Sequence, residues 1–159
     1  MLFRSQELLN EAKRLASEGV KELVLVAQET TLYGKDLTGE KQLPLLLHEL
    51  CKIEGIEWIR LLYCYPEEIT DELIKVIKTE EKVCNYIDMP IQHSENRILQ
   101  RMGRRTSRED LVAVIKKLRK EIPDITIRTT LITGFPGESQ EDHEGLMNFV
   151  EECQFDRLG

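Results

Sequence analysis

Residues 125–138 read Ile125-Thr126-Ile127-Arg128-Thr129-Thr130-Leu131-Ile132, then Thr133-Gly134-Phe135-Pro136-Gly137-Glu138. The first eight alternate with the period of two that belongs to a strand, which puts Thr126, Arg128 and Thr130 on one face. An arginine on the inner face of a buried strand is costly unless an anion pairs with it. A ligand carboxylate or a neighbouring acidic side chain would satisfy that need. The glycines let the backbone approach a ligand closely, and Pro136-Gly137 suits the centre of a type II turn. Taken alone, the stretch predicts a strand that empties through a tight turn into a helix.

Outward from this stretch the same unit repeats. Leu8, Leu9, Ala12, Leu15 and Ala16 recur at helical spacing, with Ser5 as a predicted N-cap and Gly19 as a stop. The continuous apolar run Leu23-Val24-Leu25-Val26-Ala27 predicts a parallel strand covered on both faces. A helical stripe of Leu43, Leu46, Leu47 and Leu50 precedes a strand over 58–64, and Thr70 caps a short helix before a strand over 83–91. Ser94 is placed to cap a helix carrying Ile98 and Leu99. The pattern Thr106-Ser107-Arg108-Glu109 opens a longer helix as a capping box, and Ser139 caps the last one. Residues 154–159 read as the start of a fifth strand. Such alternation predicts an α/β fold with a parallel sheet and helical crossovers, either a doubly wound open sheet or a (β/α) barrel. A full barrel takes about 250 residues, so 159 would supply part of one.

Composition narrows the function classes. The net charge of −7 argues against a surface built to wrap nucleic acid. No apolar run approaches the roughly 20 residues of a membrane-spanning helix, and the N-terminus has no secretory apolar segment, so a cytoplasmic protein is expected. Cys51, Cys64, Cys84 and Cys153 form no C-x-x-C pair and offer no metal or cluster site of their own. They are expected to be reduced and to pack as small apolar groups.

In parallel α/β folds the working residues lie at the carboxyl ends of the strands. Gln28 and Glu29 follow the first strand, where a carboxylate and an amide can hold an ammonium group, or simply form a solvated loop. Tyr65 follows the second strand and is expected to pack beneath the Pro66 turn. Gln92 and His93 follow the third. His93 has no carboxylate or cysteine at ligand spacing and is read as a structural hydrogen-bonder, not a catalyst. Arg97, Arg101, Arg104, Arg105 and Arg108 crowd into twelve residues, and a solvated helix end is favoured over an anionic partner.

In order and spacing, these blocks resemble the radical S-adenosylmethionine (SAM) methylthiotransferases. The matching segments are Val26-Ala27-Gln28-Glu29-Thr30 with Tyr33-Gly34, Ile59 to Tyr63 with Tyr65-Pro66, and Asp88-Met89-Pro90-Ile91-Gln92-His93-Ser94 running into Arg97-Ile98-Leu99. Met102 with Arg104-Arg105, Thr130 to Glu138, and Phe155-Asp156-Arg157 complete the likeness, which spans nearly all of the chain. The wording is closer to the branch that adds a methylthio group to an aspartate of a small-subunit ribosomal protein. The branch acting on an adenosine of transfer RNA is the alternative.

The resemblance implies a partial, open, horseshoe-like (β/α) barrel, with residues 1–159 as a radical SAM core fragment. The family's first strand with its three-cysteine loop, the upstream cysteines of a second cluster, and a C-terminal RNA-binding-type domain would all lie outside it. SAM and two 4Fe-4S clusters are the implied cofactors of the intact enzyme, with no catalytic residue and no metal ligand in this stretch. The fragment alone is expected to be inactive. Implied partners are the ribosomal protein, the ribosome and an electron donor, with transfer RNA less favoured. By the same resemblance, Gln28 or Glu29 faces the SAM amino group, and Arg128 and Thr130 reach its carboxylate or ribose. Gln92 lies at the neighbouring strand end, and Gly134 with Phe135 bounds the adenine. Rival readings are a barrel enzyme without a cluster, disfavoured because no strand carries a Schiff-base lysine, and a non-enzymatic binding scaffold.

Overall fold

The structure, a computed structural model, describes residues 3–159. Two compact units are formed, one from the residues up to Tyr63 with Thr70–Asn85, the other from Cys64–Ile69 with Tyr86–Gly159.

The first unit opens with helix α1 (Phe3–Ser17), which buries Leu9 and Ala12. Ser5 is not its N-cap: it lies inside the helix, and its hydroxyl meets the Tyr33 hydroxyl at 2.9 Å. The helix stops at Gly19, whose φ of 91° needs no side chain in its way. Strand β1 (Glu22–Leu25) pairs in parallel with β2 (Trp58–Leu61), Leu23 facing Ile59 and Leu25 facing Leu61. Between them come the short helix α2 (Lys35–Thr38) and helix α3 (Leu43–Cys51). Helix α4 (Asp71–Thr79), capped by the Thr70 hydroxyl as expected, packs against α3 through Leu73, Ile74 and Ile77.

The expectation that 23–27 is covered on both faces is not met. Leu23 is buried, but Val24 and Val26 are 47% and 60% exposed. Leu25 between them is half-buried, so the outer face of this stretch is only partly covered.

The second unit carries strands β3 (Tyr86–Asp88), β4 (Thr126–Thr129) and β5 (Arg157–Leu158), all parallel, with β4 central. Helices α5 (Asn96–Arg101) and α6 (Arg108–Glu121) connect β3 to β4, and α7 (Gln140–Cys153) connects β4 to β5. Helical crossovers between parallel strands are the α/β class expected from the alternation, and neither sheet closes on itself. The strands are shorter than their apolar runs, and a left-handed residue lies shortly beyond two of them. Tyr63 has φ 56° two residues after β2, and Gln92 has φ 71° four residues after β3.

Both α6 and α7 begin with full capping boxes, Ser107 with Asp110 and Ser139 with Asp142. Helix α5 is instead preceded by Glu95, while Ser94 is fully buried and donates its hydroxyl to Glu95. The core of this unit gathers Ile87, Ile98, Leu118, Ile127 and Phe149, each essentially inaccessible. Phe149 meets the Phe155 ring at 6.2 Å, and the Arg108 guanidinium lies 4.8 Å from its ring centre.

Two outcomes follow for α7. Phe149→Ala should destabilise the protein by about 3–5 kcal/mol in denaturant titration, the cost of emptying a packed aromatic site. Ser139→Ala should cost about 1 kcal/mol. The Ser139 hydroxyl and N–H, aided by Arg97, hold the Asp142 carboxyl down at about 2, against an ordinary value of 3.8. A lowered carboxyl stabilises the fold above its unfolded value, and that contribution is lost as pH falls through about 2. In S139A the Asp142 titration, followed by NMR, should move up toward 3.8.

Candidate cofactor-binding site

The register of β3 against β4 places Asp88 directly opposite Arg128. Asp88 is buried, with 2% of its side chain exposed, and accepts a hydrogen bond from Arg128 Nη1 at 2.5 Å. The same nitrogen lies 3.3 Å from the Thr130 hydroxyl. Of the two anions that a strand arginine invites, the neighbouring acidic side chain is thus present within the protein. The arginine face of β4 is its more open one: Arg128 is 39% exposed, while Ile127 and Thr129 on the opposite face are fully buried. The pairing therefore fixes the direction of a guanidinium that stands at the accessible edge of the sheet.

The exits of the two strands are joined by backbone. Gln92 N–H donates to the Thr130 carbonyl at 3.0 Å, and Ile132 N–H donates to the Gln92 carbonyl at 2.8 Å. This isolated bridge between Gln92 and Leu131 holds Gln92 in the left-handed region, a conformation that a non-glycine residue adopts only when its surroundings impose it. Gln92, Arg128 and Thr130 are thereby brought to one edge of the sheet. Gly159 lies alongside: its N–H donates to Thr129 O, and Arg128 Nη2 comes within 3.4 Å of where a side chain on Gly159 would begin.

Gly134 and Phe135 lie on the turn that follows. Gly134 has φ 72°, and the space where its side chain would stand is open. Phe135 N–H donates to Glu138 Oε2 at 2.9 Å, closing the turn. Burial acts to raise the Glu138 carboxyl, yet the Phe135 and Gly134 N–H groups, His93 and His143 together hold it below its ordinary value. Gly137 suits the turn by its backbone, and its lack of a side chain leaves room for the end of an arginine. Its φ is 86°, and a Cβ there would fall 2.3–2.7 Å from the Arg101 guanidinium.

Arg101 and Arg105 of the arginine-rich run are exposed, as a solvated helix end would have them, whereas Arg97, Arg104 and Arg108 meet partners within the protein. Arg97 donates to Gly137 O and pairs with Asp142. Arg104 donates to Pro90 O at 2.8 Å and lies over the Tyr65 ring at 4.7 Å. Arg108 pairs with Glu95 and reaches the Ser94 hydroxyl and Gly145 O. These three arginines staple the loops around α5 to the strand exits and to α7.

In the first unit, Glu29 stands at the exit of β1 and caps a turn over Thr30–Leu32, accepting from Thr31 N–H at 3.1 Å and from the Thr31 hydroxyl. Thr30 ties this loop to the exit of β2 by donating its N–H to Tyr63 O and its hydroxyl to Leu62 O. Glu29 also borders a cavity of about 920 Å³, whose walls include Leu8, Leu15 and Val24. Gln28 is exposed. Of the seven residues expected at a ligand, Gln28 and Glu29 thus belong to the first unit and the other five to the second.

The cysteines do not fit a cluster. None of the four forms a disulfide, and burial raises the Cys51 thiol to about 11 and those of Cys84 and Cys153 above their ordinary value, whereas thiolates are what bind iron. Among the described residues no three His, Cys, Asp or Glu side chains group as a metal site.

The radical SAM superfamily profile matches residues 3–150, and the chain belongs to that superfamily. It is 64% identical over 154 residues to the ribosomal protein uS12 methylthiotransferase RimO of Lachnoclostridium phytofermentans, and 56% identical over 154 residues to that of Alkaliphilus oremlandii. Each match covers 97% of this chain and 35% of the relative, so the chain spans about a third of the length of these proteins. Among solved structures it is similar to the radical SAM methyltransferase TsrM of Kitasatospora setae, with TM-score 0.76 and 17% identity over 98% of this chain and 30% of that one. Streptococcus suis SuiB gives TM-score 0.68 at 13% identity, covering 97% and 31%. The fold is that of radical SAM proteins.

Gly137→Ala should destabilise by about 1 kcal/mol or more, from a left-handed backbone that alanine resists together with the clash against Arg101. Adding Arg101→Ala should restore only the steric part, and unfolding of the single and double variants measures the division.

Proposed function

We propose that the protein carrying this chain is a radical SAM methylthiotransferase that adds a methylthio group to an aspartate of the small-subunit ribosomal protein uS12. The observation that carries this reading is the 64% identity, over nearly the whole chain, to a RimO-type enzyme. The substrate is then a protein of the ribosome, and the working partners include the ribosome and an electron donor. A cytoplasmic location accords with that substrate and with the absence, among the described residues, of any helix long and apolar enough to cross a membrane.

Bound SAM and the iron–sulfur clusters supply the one-electron chemistry that activates an unreactive carbon. The residues of this chain do the holding. Arg128, held by Asp88, would bind the SAM carboxylate, with the Thr130 hydroxyl beside it. Gln92 contributes an amide at the adjoining strand end, and the open side of Gly134 with Phe135 is suited to the adenine.

Arg128→Ala in the full-length, cluster-reconstituted protein should weaken SAM binding roughly tenfold or more, the worth of a charge-assisted hydrogen bond. Calorimetry under anaerobic conditions measures it, and unchanged affinity removes Arg128 from the site. Incubation with SAM, reductant and uS12 should add one methylthio group to the protein by mass spectrometry. Modification of transfer RNA with uS12 left untouched would assign the chain to the other branch.

A further inference from the structure

His93 is wholly buried, and its ring has two different tasks. Its Nδ1 accepts the Glu95 N–H at 3.0 Å, so the proton of the neutral ring sits on Nε2. Nε2 makes no hydrogen bond within the usual limit, and the group it faces is Glu138 Oε1, 3.7 Å away. Glu138 is itself 4% exposed; its other oxygen receives the Phe135 N–H, and the His143 ring lies 3.3 Å from Oε1. A buried carboxylate and a buried N–H that point at each other across a slightly long gap form a contact that a small closure of the turn would complete. His93 follows Gln92 directly, and Glu138 ends the turn that holds Gly134 and Phe135. The pair therefore bridges two strand exits by side chains, where Gln92 and Thr130 bridge them by backbone.

We propose that His93 and Glu138 are positioning residues that lock the Gly134–Phe135 turn against the Gln92 exit, and so present the turn to the nucleoside half of SAM. This rests on the reading of the site as a SAM site. Neither side chain touches the ligand. Glu138 acts through the Phe135 N–H, and His93 acts through Glu138. Arg97 braces the far side of the same turn by donating to Gly137 O, which leaves Glu138 as its inner anchor.

The two ring nitrogens can be tested separately. Asparagine places an acceptor near Nδ1 and keeps the Glu95 contact while losing the one to Glu138; glutamine places a donor near Nε2 and does the reverse. In the full-length, reconstituted protein, His93→Asn and Glu138→Gln should each weaken binding of SAM and of 5′-deoxyadenosine roughly tenfold. His93→Gln should retain most of that affinity, and binding of methionine alone should stay unchanged in all three. Iron content and melting temperature report whether each variant is folded, and Glu138→Gln, which preserves shape, serves if His93→Asn is not. Wild-type affinity in both Glu138→Gln and His93→Asn, or equal losses in the Asn and Gln variants, overturns the proposal. So does methionine binding that falls in step with nucleoside binding. Those results would leave the SAM site standing as long as the unaltered protein binds SAM; failure of the unaltered protein to bind it overturns the site and the proposal together.

Discussion

Asp88 is an acid placed almost wholly out of water, and the arrangement of the second unit makes that tolerable. An unpaired carboxylate at such depth is strongly disfavoured. The parallel register of β3 and β4 puts Arg128 opposite it, at 2.5 Å. The guanidinium must then lie along the sheet edge beside Thr130, with the Gln92 bridge one step further out. A shift of register by one residue would turn Arg128 to the face where Ile127 and Thr129 are packed, and would separate it from its carboxylate. The pairing that sets the strand order thus also sets the polar edge to which a ligand is assigned.

In each unit the chain adopts a conformation it would otherwise avoid. Tyr63 and Gln92 take positive φ without being glycine, and each is held by hydrogen bonds to a neighbouring strand exit. Such restraint keeps a loop of polar residues in one shape, which is what pre-organised binding of a flexible ligand requires. The arginines of the α5 region serve the same end. They donate to the carbonyls of Pro90 and Gly137, on the loops beside the strand exits, and of Gly145 within α7.

Local rules carried much of the fold. The caps at Thr70 and Ser139 and the stop at Gly19 are where side-chain chemistry put them, and the box expected at Thr106 and Glu109 forms one residue later at Ser107 and Asp110, because capping involves residues within four positions of one another. The apolar stripes of α3, α4 and α6 bury as their spacing predicts. Strand ends were less legible. Apolar runs of seven to nine residues yield strands of three or four, since an apolar residue beyond a strand can still be buried, as Cys64, Met89 and Ile91 are. The role of the arginines was hidden for a different reason: a run of like charges reads as solvated until the carbonyls and rings that it meets, up to about forty positions away, are known.

By itself the sequence determined the alternating α/β class, the starts of α4 and α7, the stop at Gly19 and the set of polar residues that follow each strand. Those features arise from short-range sterics and periodicity, and the ordered motifs were enough to mark the radical SAM family. Tertiary structure alone decided that Arg128 answers to Asp88, that His93 faces Glu138, and that Val24 and Val26 are left open. Each depends on which segments lie side by side across forty or so residues, and a side chain's partner in space leaves no mark on its own neighbourhood in the chain.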